Sequence, residues 1–207
     1  MPLAKVVKVN ENIIYGIWEI TEEIETLLSD EAFNNHENID VATLHPKKQL
    51  EYATSRILIS DLCDEIGYPY SGLIKDEFGK PHLPDCDYQL SISHSFPFAI
   101  AILNKNGSAG IDIEYPNVKL SRISSKFLNE NELKYQDSLT DLCKVWCVKE
   151  TLYKIYGRKK VDYKKHLHVD LGVSHDRCTG IFSNDEVSAK YEIRIEEFEG
   201  FIYCYNL

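Results

Sequence analysis

Gly110-Ile111-Asp112-Ile113-Glu114 alternates apolar and acidic residues with the period of two that belongs to a β-strand. Asp112 and Glu114 therefore project from one face, roughly 7 Å apart along the chain, as two hard oxygen ligands facing one point. Further on, Trp146-Cys147-Val148-Lys149-Glu150-Thr151-Leu152-Tyr153-Lys154 reads as a helix. Trp146, Glu150 and Lys154, at i, i+4 and i+8, share one stripe of it. The helix thus adds a third carboxylate and an ammonium to the strand's pair. Three carboxylates with a lysine suit a magnesium ion and a bound phosphate ester, because Mg2+ takes oxygen ligands and keeps substrate phosphates among them. The combination points to phosphoryl-type transfer.

Working outward, Ile13 to Ile20 reads as a strand rich in β-branched and aromatic residues, followed by an acidic helical start at Thr21-Glu22-Glu23-Ile24. A long helix runs from Lys47 to Ile66, with Arg56 beside its apolar rows and Gly67 and Pro69 to stop it. Tyr88 to Ser93, Phe98 to Leu103 and Ala109 to Glu114 read as three strands of a meander, with Asn106-Gly107 as the hairpin turn between the last two. Helical pieces follow from about Leu120 to Gln136 and from Thr140 to Tyr156, then strands at Gly180 to Ser183, Glu186 to Ile195 and Phe201 to Tyr205. The expected fold class is α+β. The recurrence of strand, helix and strands divides the chain into two similar α/β subdomains, residues 1–107 and 108–207, with a pocket expected where they meet.

Acidic residues outnumber basic ones by 33 to 23, for a net charge of -10, and that field repels the phosphates of nucleic acids and anionic membranes. With 43% apolar residues, no run of roughly 18 apolar residues and no signal-peptide core in Met1 to Asn10, the expected compartment is the cytoplasm. Phosphate binding would fall to local basic clusters, of which there are two: His45-Pro46-Lys47-Lys48, and Arg158-Lys159-Lys160 with Lys164-Lys165. Taken alone, each reads first as a solvated face. Six cysteines without a C-x-x-C pair are expected to be reduced, and Cys143 and Cys147 to pack as core thiols.

Phe78-Gly79-Lys80-Pro81-His82 is a turn in which glycine lets the backbone approach a ligand, or a plain surface turn. In Ser91-Ile92-Ser93-His94-Ser95, Ser93 and His94 point to opposite faces of a strand, which argues against a nucleophilic dyad. His94 is left either to donate to a phosphate or to be satisfied by backbone. Lys149 lies in line with Leu142, Val145 and Leu152, as a snorkelling stem or as a partner for a bound phosphate. Glu130 and Glu132 read as a helix start or as supporting acids for the metal site.

In order along the chain, Arg56, Phe78-Gly79-Lys80-Pro81, Ser93-His94-Ser95, Gly110-Ile111-Asp112-Ile113-Glu114, Phe127 with Glu132, and Trp146-x-x-Lys149-Glu150-x-x-x-Lys154 resemble the 4'-phosphopantetheinyl transferase superfamily. The likeness is to the monomeric surfactin-synthetase-activating type, in which two similar halves related by pseudo-two-fold symmetry hold the active site at their interface. Two departures are visible: Phe78 stands where a tyrosine is common, and Gly157-Arg158-Lys159 stands in place of a glycine-richer turn.

The resemblance implies transfer of the phosphopantetheine arm of coenzyme A to a serine of an apo acyl or peptidyl carrier protein, with release of adenosine 3',5'-bisphosphate. It implies that Asp112, Glu114 and Glu150 hold Mg2+, or Mn2+, against the pyrophosphate, and that Lys154 and His94 contact phosphates. Ser93 and the Gly79-Lys80 backbone would lie by the adenine nucleotide, with Arg56, Lys47 and Lys48 as candidates for the 3'-phosphate. Glu150 leads as general base, with Glu132 or water as the alternatives, so that Glu150, Lys154 and Asp112 form the expected catalytic set. One chain with two halves suffices as a monomer. The Arg158 to Lys165 cluster is expected to help dock an acidic carrier. Two other classes are weighed: a Mg2+-dependent nuclease or phosphohydrolase, which the net charge disfavours, and a non-catalytic protein that binds coenzyme A or a carrier.

Overall fold

The computed structural model describes residues 3–34, 41–174 and 176–207. Helix and antiparallel sheet are combined in an α+β architecture, and the chain divides into two compact units, Met1–Ala109 and Gly110–Leu207.

The first unit contains β1 (Leu3–Lys8), β2 (Ile13–Glu19), α1 (Ile24–Leu28), α2 (Glu31–Asn34), a 3-10 turn at Val41–Thr43 and α3 (Pro46–Glu65). It continues with β3 (Ile74–Lys75), β4 (Pro81–His82), β5 (Gln89–Ser95) and β6 (Phe98–Asn104). Its main sheet has the order β1-β2-β6-β5, antiparallel throughout. Pro46 opens α3 at a position where its missing N–H costs nothing, and Gly67, at φ +69°, takes the left-handed conformation just beyond the helix end. Gly16 of β2 decides how closely α3 lies on the sheet, since a Cβ there would come within 2.7 Å of Leu58 Cδ1. Leu58 and Leu62 then pack with Ala101, Leu103 and Leu90 into one apolar core.

The second unit contains β7 (Ile111–Glu114), α4 (Val118–Phe127), a 3-10 helix at Glu130–Tyr135 and α5 (Leu139–Tyr156). After these come β8 (Leu167–Asp170), β9 (Arg177–Ser183), β10 (Ser188–Phe198) and β11 (Phe201–Asn206). The sheet order is β7-β11-β10-β9-β8, again antiparallel. Ser138 caps the start of α5 by accepting from Asp141 N, and Gly157 at φ +68° ends the helix. Gly110 admits α5 to the edge of β7: a Cβ there would stand 2.6 Å from Thr151 O and 2.5 Å from Ile155 Cγ1. Buried side chains of α5 also bond directly to strand backbone. The Cys147 thiol reaches Asp112 O at 3.3 Å, and Thr151 Oγ1 reaches Cys204 O at 3.1 Å.

The Asn106-Gly107 hairpin is not formed. Strand β6 pairs with β2 and β5, while β7 pairs with β11 in the other sheet, so the acidic pair does not close a meander. The physical reason is Asn104, whose side chain accepts from Asn106 N and donates to Ser108 O, turning the chain out of the first sheet before any return strand can form. The helical reading from Leu120 to Gln136 is likewise interrupted. Helix α4 stops at Phe127, Leu128 is extended, and Asn129 starts a separate 3-10 helix through a capping box with Glu132. Strands β1, β3, β4 and β8 were not expected. All six cysteines are unbridged, and Cys143 and Cys147 lie in the core with their thiols pushed up by burial. Among the described residues no helix is long and apolar enough to cross a membrane.

Candidate functional site

Strand alternation turns Asp112 and Glu114 toward α5 and leaves Ile111 and Ile113 on the other face. Asp112 is buried, and its Oδ1 lies 2.6 Å from Lys154 Nζ, which also donates to Ile111 O at 2.9 Å. Trp146, two turns earlier on α5, donates from Nε1 to Glu114 Oε1 at 3.1 Å. Glu150 lies between them in the helical stripe. The structure thus brings Asp112, Glu114, Glu150 and Lys154 together.

Burial, then the charge of Asp112, pushes the carboxyls of Glu114 and Glu150 up to about 7, while Lys154 pulls both back. The two protonations belong to the cluster rather than to either residue. Three carboxylates share one ammonium, so near neutral pH the site holds protons that an added cation would displace.

The donors are all oxygen, buried at Asp112 and half-buried at Glu114 and Glu150, and crowded by like charge, which is what a hard divalent ion relieves. As folded, Asp112 faces Lys154 and Glu114 faces Trp146, both donors of the protein itself. Among the described residues no three His, Cys, Asp or Glu side chains are grouped to hold an ion. Their oxygen donors are of the type a hard cation takes, and holding one would require exchanging those hydrogen bonds for the ion.

Lys149 and Glu132 belong elsewhere. Lys149 is fully buried and spends its three N–H groups on Phe127 O at 2.6 Å, Glu132 Oε2 at 2.6 Å and Tyr163 O at 2.9 Å. Glu132 Oε2 also accepts from Asn129 N, and Oε1 accepts from Val169 N at 2.8 Å. Both expectations, of a phosphate partner at Lys149 and of a metal-site acid or base at Glu132, are corrected: the two form a saturated buried pair that ties α5 to the Glu130–Tyr135 helix and to β8.

In the first unit, Lys47, Lys48 and His94 gather around Glu51, a buried carboxylate of α3. Its oxygens lie 4.0 Å from Lys47 Nζ, 2.5 Å from Lys48 Nζ and 3.9 Å from His94 Nδ1. Arg56 is buried with its guanidinium 3.6 Å from the centre of the Tyr52 ring, and its Nη1 donates to Ser55 Oγ. Ser93 is buried on β5, on the face opposite His94. Lys80 stands in a separate turn, where Asp76 Oδ1 accepts from Phe78 N and Lys80 N and Gly79 takes φ +91°. Burial holds the Lys80 ammonium below the ordinary lysine range.

Sequence reasoning missed Glu51 and Tyr163. The first was findable, because it stands at i+4 from Lys47 and i+3 from Lys48 on a helix. The second lies in an aperiodic segment past the end of α5, where no spacing rule links it to that helix.

Residues 108–196, which include Asp112, Glu114, Glu150, Lys154 and Tyr163, match the family model described as ACPS: 4'-phosphopantetheinyl transferase superfamily. Over 119 residues the chain is 26% identical to a Haemophilus influenzae (strain ATCC 51907 / DSM 11121 / KW20 / Rd) protein named "Putative 4'-phosphopantetheinyl transferase". The alignment covers 52% of this chain and 51% of that protein, so the chain spans about half the length of the curated relative it matches.

Proposed function

We propose that this chain is a 4'-phosphopantetheinyl transferase that moves the phosphopantetheine arm of coenzyme A onto a serine of an apo acyl or peptidyl carrier protein. The observation that carries the reading is the cluster of buried Asp112 with half-buried Glu114, Glu150 and Lys154, which falls inside the span matching the transferase superfamily. The reading takes the chain as a cytoplasmic monomer of the surfactin-synthetase-activating type. It takes the two units to be related by pseudo-two-fold symmetry, the first supplying the nucleotide end of coenzyme A with ligands and the second supplying the metal site.

Asp112, Glu114 and Glu150 would hold Mg2+, which when bound neutralises the pyrophosphate and its departing charge. The serine hydroxyl attacks the phosphorus that carries the pantetheine arm. The P–O bond to the adenosine 3',5'-bisphosphate breaks, and that bisphosphate leaves with the electron pair. Glu150 would receive the serine proton. Lys154 places a fixed ammonium beside the pyrophosphate, and Asp112 with the Ile111 carbonyl orients it. Lys47, Lys48, His94 and Arg56 would take the 3'-phosphate, with Ser93 and Lys80 beside the nucleotide. The Arg158 to Lys165 cluster would meet an acidic carrier.

Adenosine 3',5'-bisphosphate should appear only when coenzyme A, Mg2+ and an apo carrier are all present. Its release from coenzyme A and Mg2+ without a carrier would identify a phosphohydrolase instead.

A further inference from the structure

Helix α3 begins Pro46-Lys47-Lys48 and carries no acidic residue in its first turn. Cations there oppose the positive end of the helix dipole, so the usual preference for Asp or Glu is broken twice in succession, as happens at functional sites. Glu51 offsets this one turn further on, at i+4 from Lys47 and i+3 from Lys48. Its side chain is 4% exposed, against 52% for Lys47 and 62% for Lys48, so a buried carboxylate lies beneath two ammonium groups at the surface.

Lys48 Nζ donates to Glu51 Oε2 at 2.5 Å. Lys47 Nζ lies 4.0 Å from Glu51 Oε1 and 5.1 Å from the centre of the Phe96 ring, and His94 Nδ1 on β5 approaches Oε2 at 3.9 Å. One carboxylate of α3 thereby orders cations from a helix and a strand. An ammonium carries three N–H groups, so a single bond to Glu51 fixes the head of Lys48 without exhausting it. Two lysines against one carboxylate leave positive charge at the surface, and His94 adds to it when protonated, in a chain whose net charge is -10. With the start of a long helix beside it, that patch suits a compact dianion such as a phosphate monoester.

A carboxylate so close to an anion site weakens it by repulsion unless it supplies order in return. We propose that Glu51 is a positioning residue that holds Lys47 and Lys48 ready for the phosphate monoester of coenzyme A, and so sets selectivity for coenzyme A over its 3'-dephospho form. The inference rests on reading this cluster as the 3'-phosphate site of the transferase.

The test titrates the whole chain and its Glu51→Gln variant with coenzyme A and with 3'-dephospho-coenzyme A by calorimetry, with melts to show that each chain is folded. Glu51→Gln keeps the shape and removes the charge. Two long side chains that must then be ordered by the ligand should weaken coenzyme A about tenfold and leave 3'-dephospho-coenzyme A unchanged. Glu51→Asp, which keeps the charge and shortens its reach, should fall between wild type and Glu51→Gln and serves if the latter does not fold. In a Lys48→Ala background, Glu51→Gln should change coenzyme A affinity less, because Glu51 acts through Lys48. Unchanged or tighter coenzyme A binding by Glu51→Gln, equal losses for the two ligands, or full additivity with Lys48→Ala would overturn the proposal. A wild-type chain with no preference between the two ligands overturns the 3'-phosphate assignment and the proposal with it. A chain that modifies no carrier, yet tells the two ligands apart through Glu51, overturns the transferase reading and leaves the positioning role standing.

Discussion

Lys154 Nζ lies 2.6 Å from Asp112 Oδ1 and 2.9 Å from the carbonyl oxygen of Ile111, so one ammonium on α5 grips two successive residues of β7. The cation is thereby fixed to the same strand that carries two of the three carboxylates. A charge held in this way undergoes little rearrangement when a phosphate arrives, and such preorganisation is the largest single contribution a site can make to charge-developing chemistry.

The carboxyls of Glu114 and Glu150 rise from 4.5 to about 7 on folding, because burial and the Asp112 charge disfavour their ionised forms. Between those values the folded chain binds more protons than the unfolded one, so this cluster makes stability fall as pH rises through that window. On the proposed function, a divalent ion would replace the protons and remove the penalty. Thermal melts should therefore show Mg2+ raising Tm more at about pH 8 than at about pH 5. An equal Mg2+ effect at both values would contradict the charge assignment.

Lys149→Met should destabilise the fold by about 3–5 kcal/mol, because it strands the buried Glu132 carboxylate without its cation. Urea unfolding measures this directly. A loss below about 1 kcal/mol, the range of exposed pairs, would show that the pair is not buried in solution.

Gly110→Ala should cost about 1–3 kcal/mol and reduce transfer, since the new methyl group would displace Thr151 and Ile155, and with them the α5 face that carries Glu150 and Lys154. Paired melting and activity measurements test it. Wild-type behaviour in both would mean that α5 is not held against β7 at this glycine.

Lys48→Ala should weaken coenzyme A binding about tenfold, the scale of one charge-assisted hydrogen bond, and leave 3'-dephospho-coenzyme A unaffected. Calorimetric titration of both ligands distinguishes the outcomes. Equal losses for the two would remove the 3'-phosphate assignment from the Lys47, Lys48 and His94 cluster around Glu51.

Local periodicity carried the long elements. Helix α3 was expected from Lys47 to Ile66 and spans Pro46–Glu65, and α5 was expected from Thr140 to Tyr156 and spans Leu139–Tyr156. A period of two placed Asp112 and Glu114 on one strand face, and a period of four placed Glu150 and Lys154 on one helix stripe. Pairing was less legible, because Asn106-Gly107 signals a bend without saying which strand lies beside which, and β7 found β11 instead of β6. Lys149 shows the same limit. Its helical row of Leu142, Val145 and Leu152 pointed inward, but its acidic partner lies 17 residues earlier on a different element. Tyr163 was invisible for a related reason, as its contacts with Lys149 and Trp146 depend on how a turn folds back on a helix.

The most direct measurement is intact-protein mass spectrometry of apo carrier proteins incubated with this chain, coenzyme A and Mg2+, alongside a chelator control and the Asp112→Ala chain. The account predicts a phosphopantetheine adduct on a carrier serine that disappears with chelator and with Asp112→Ala, while Asp112→Ala retains its fold. An adduct formed at near-normal rate by Asp112→Ala, or no adduct on any carrier by a chain that binds coenzyme A, would contradict it.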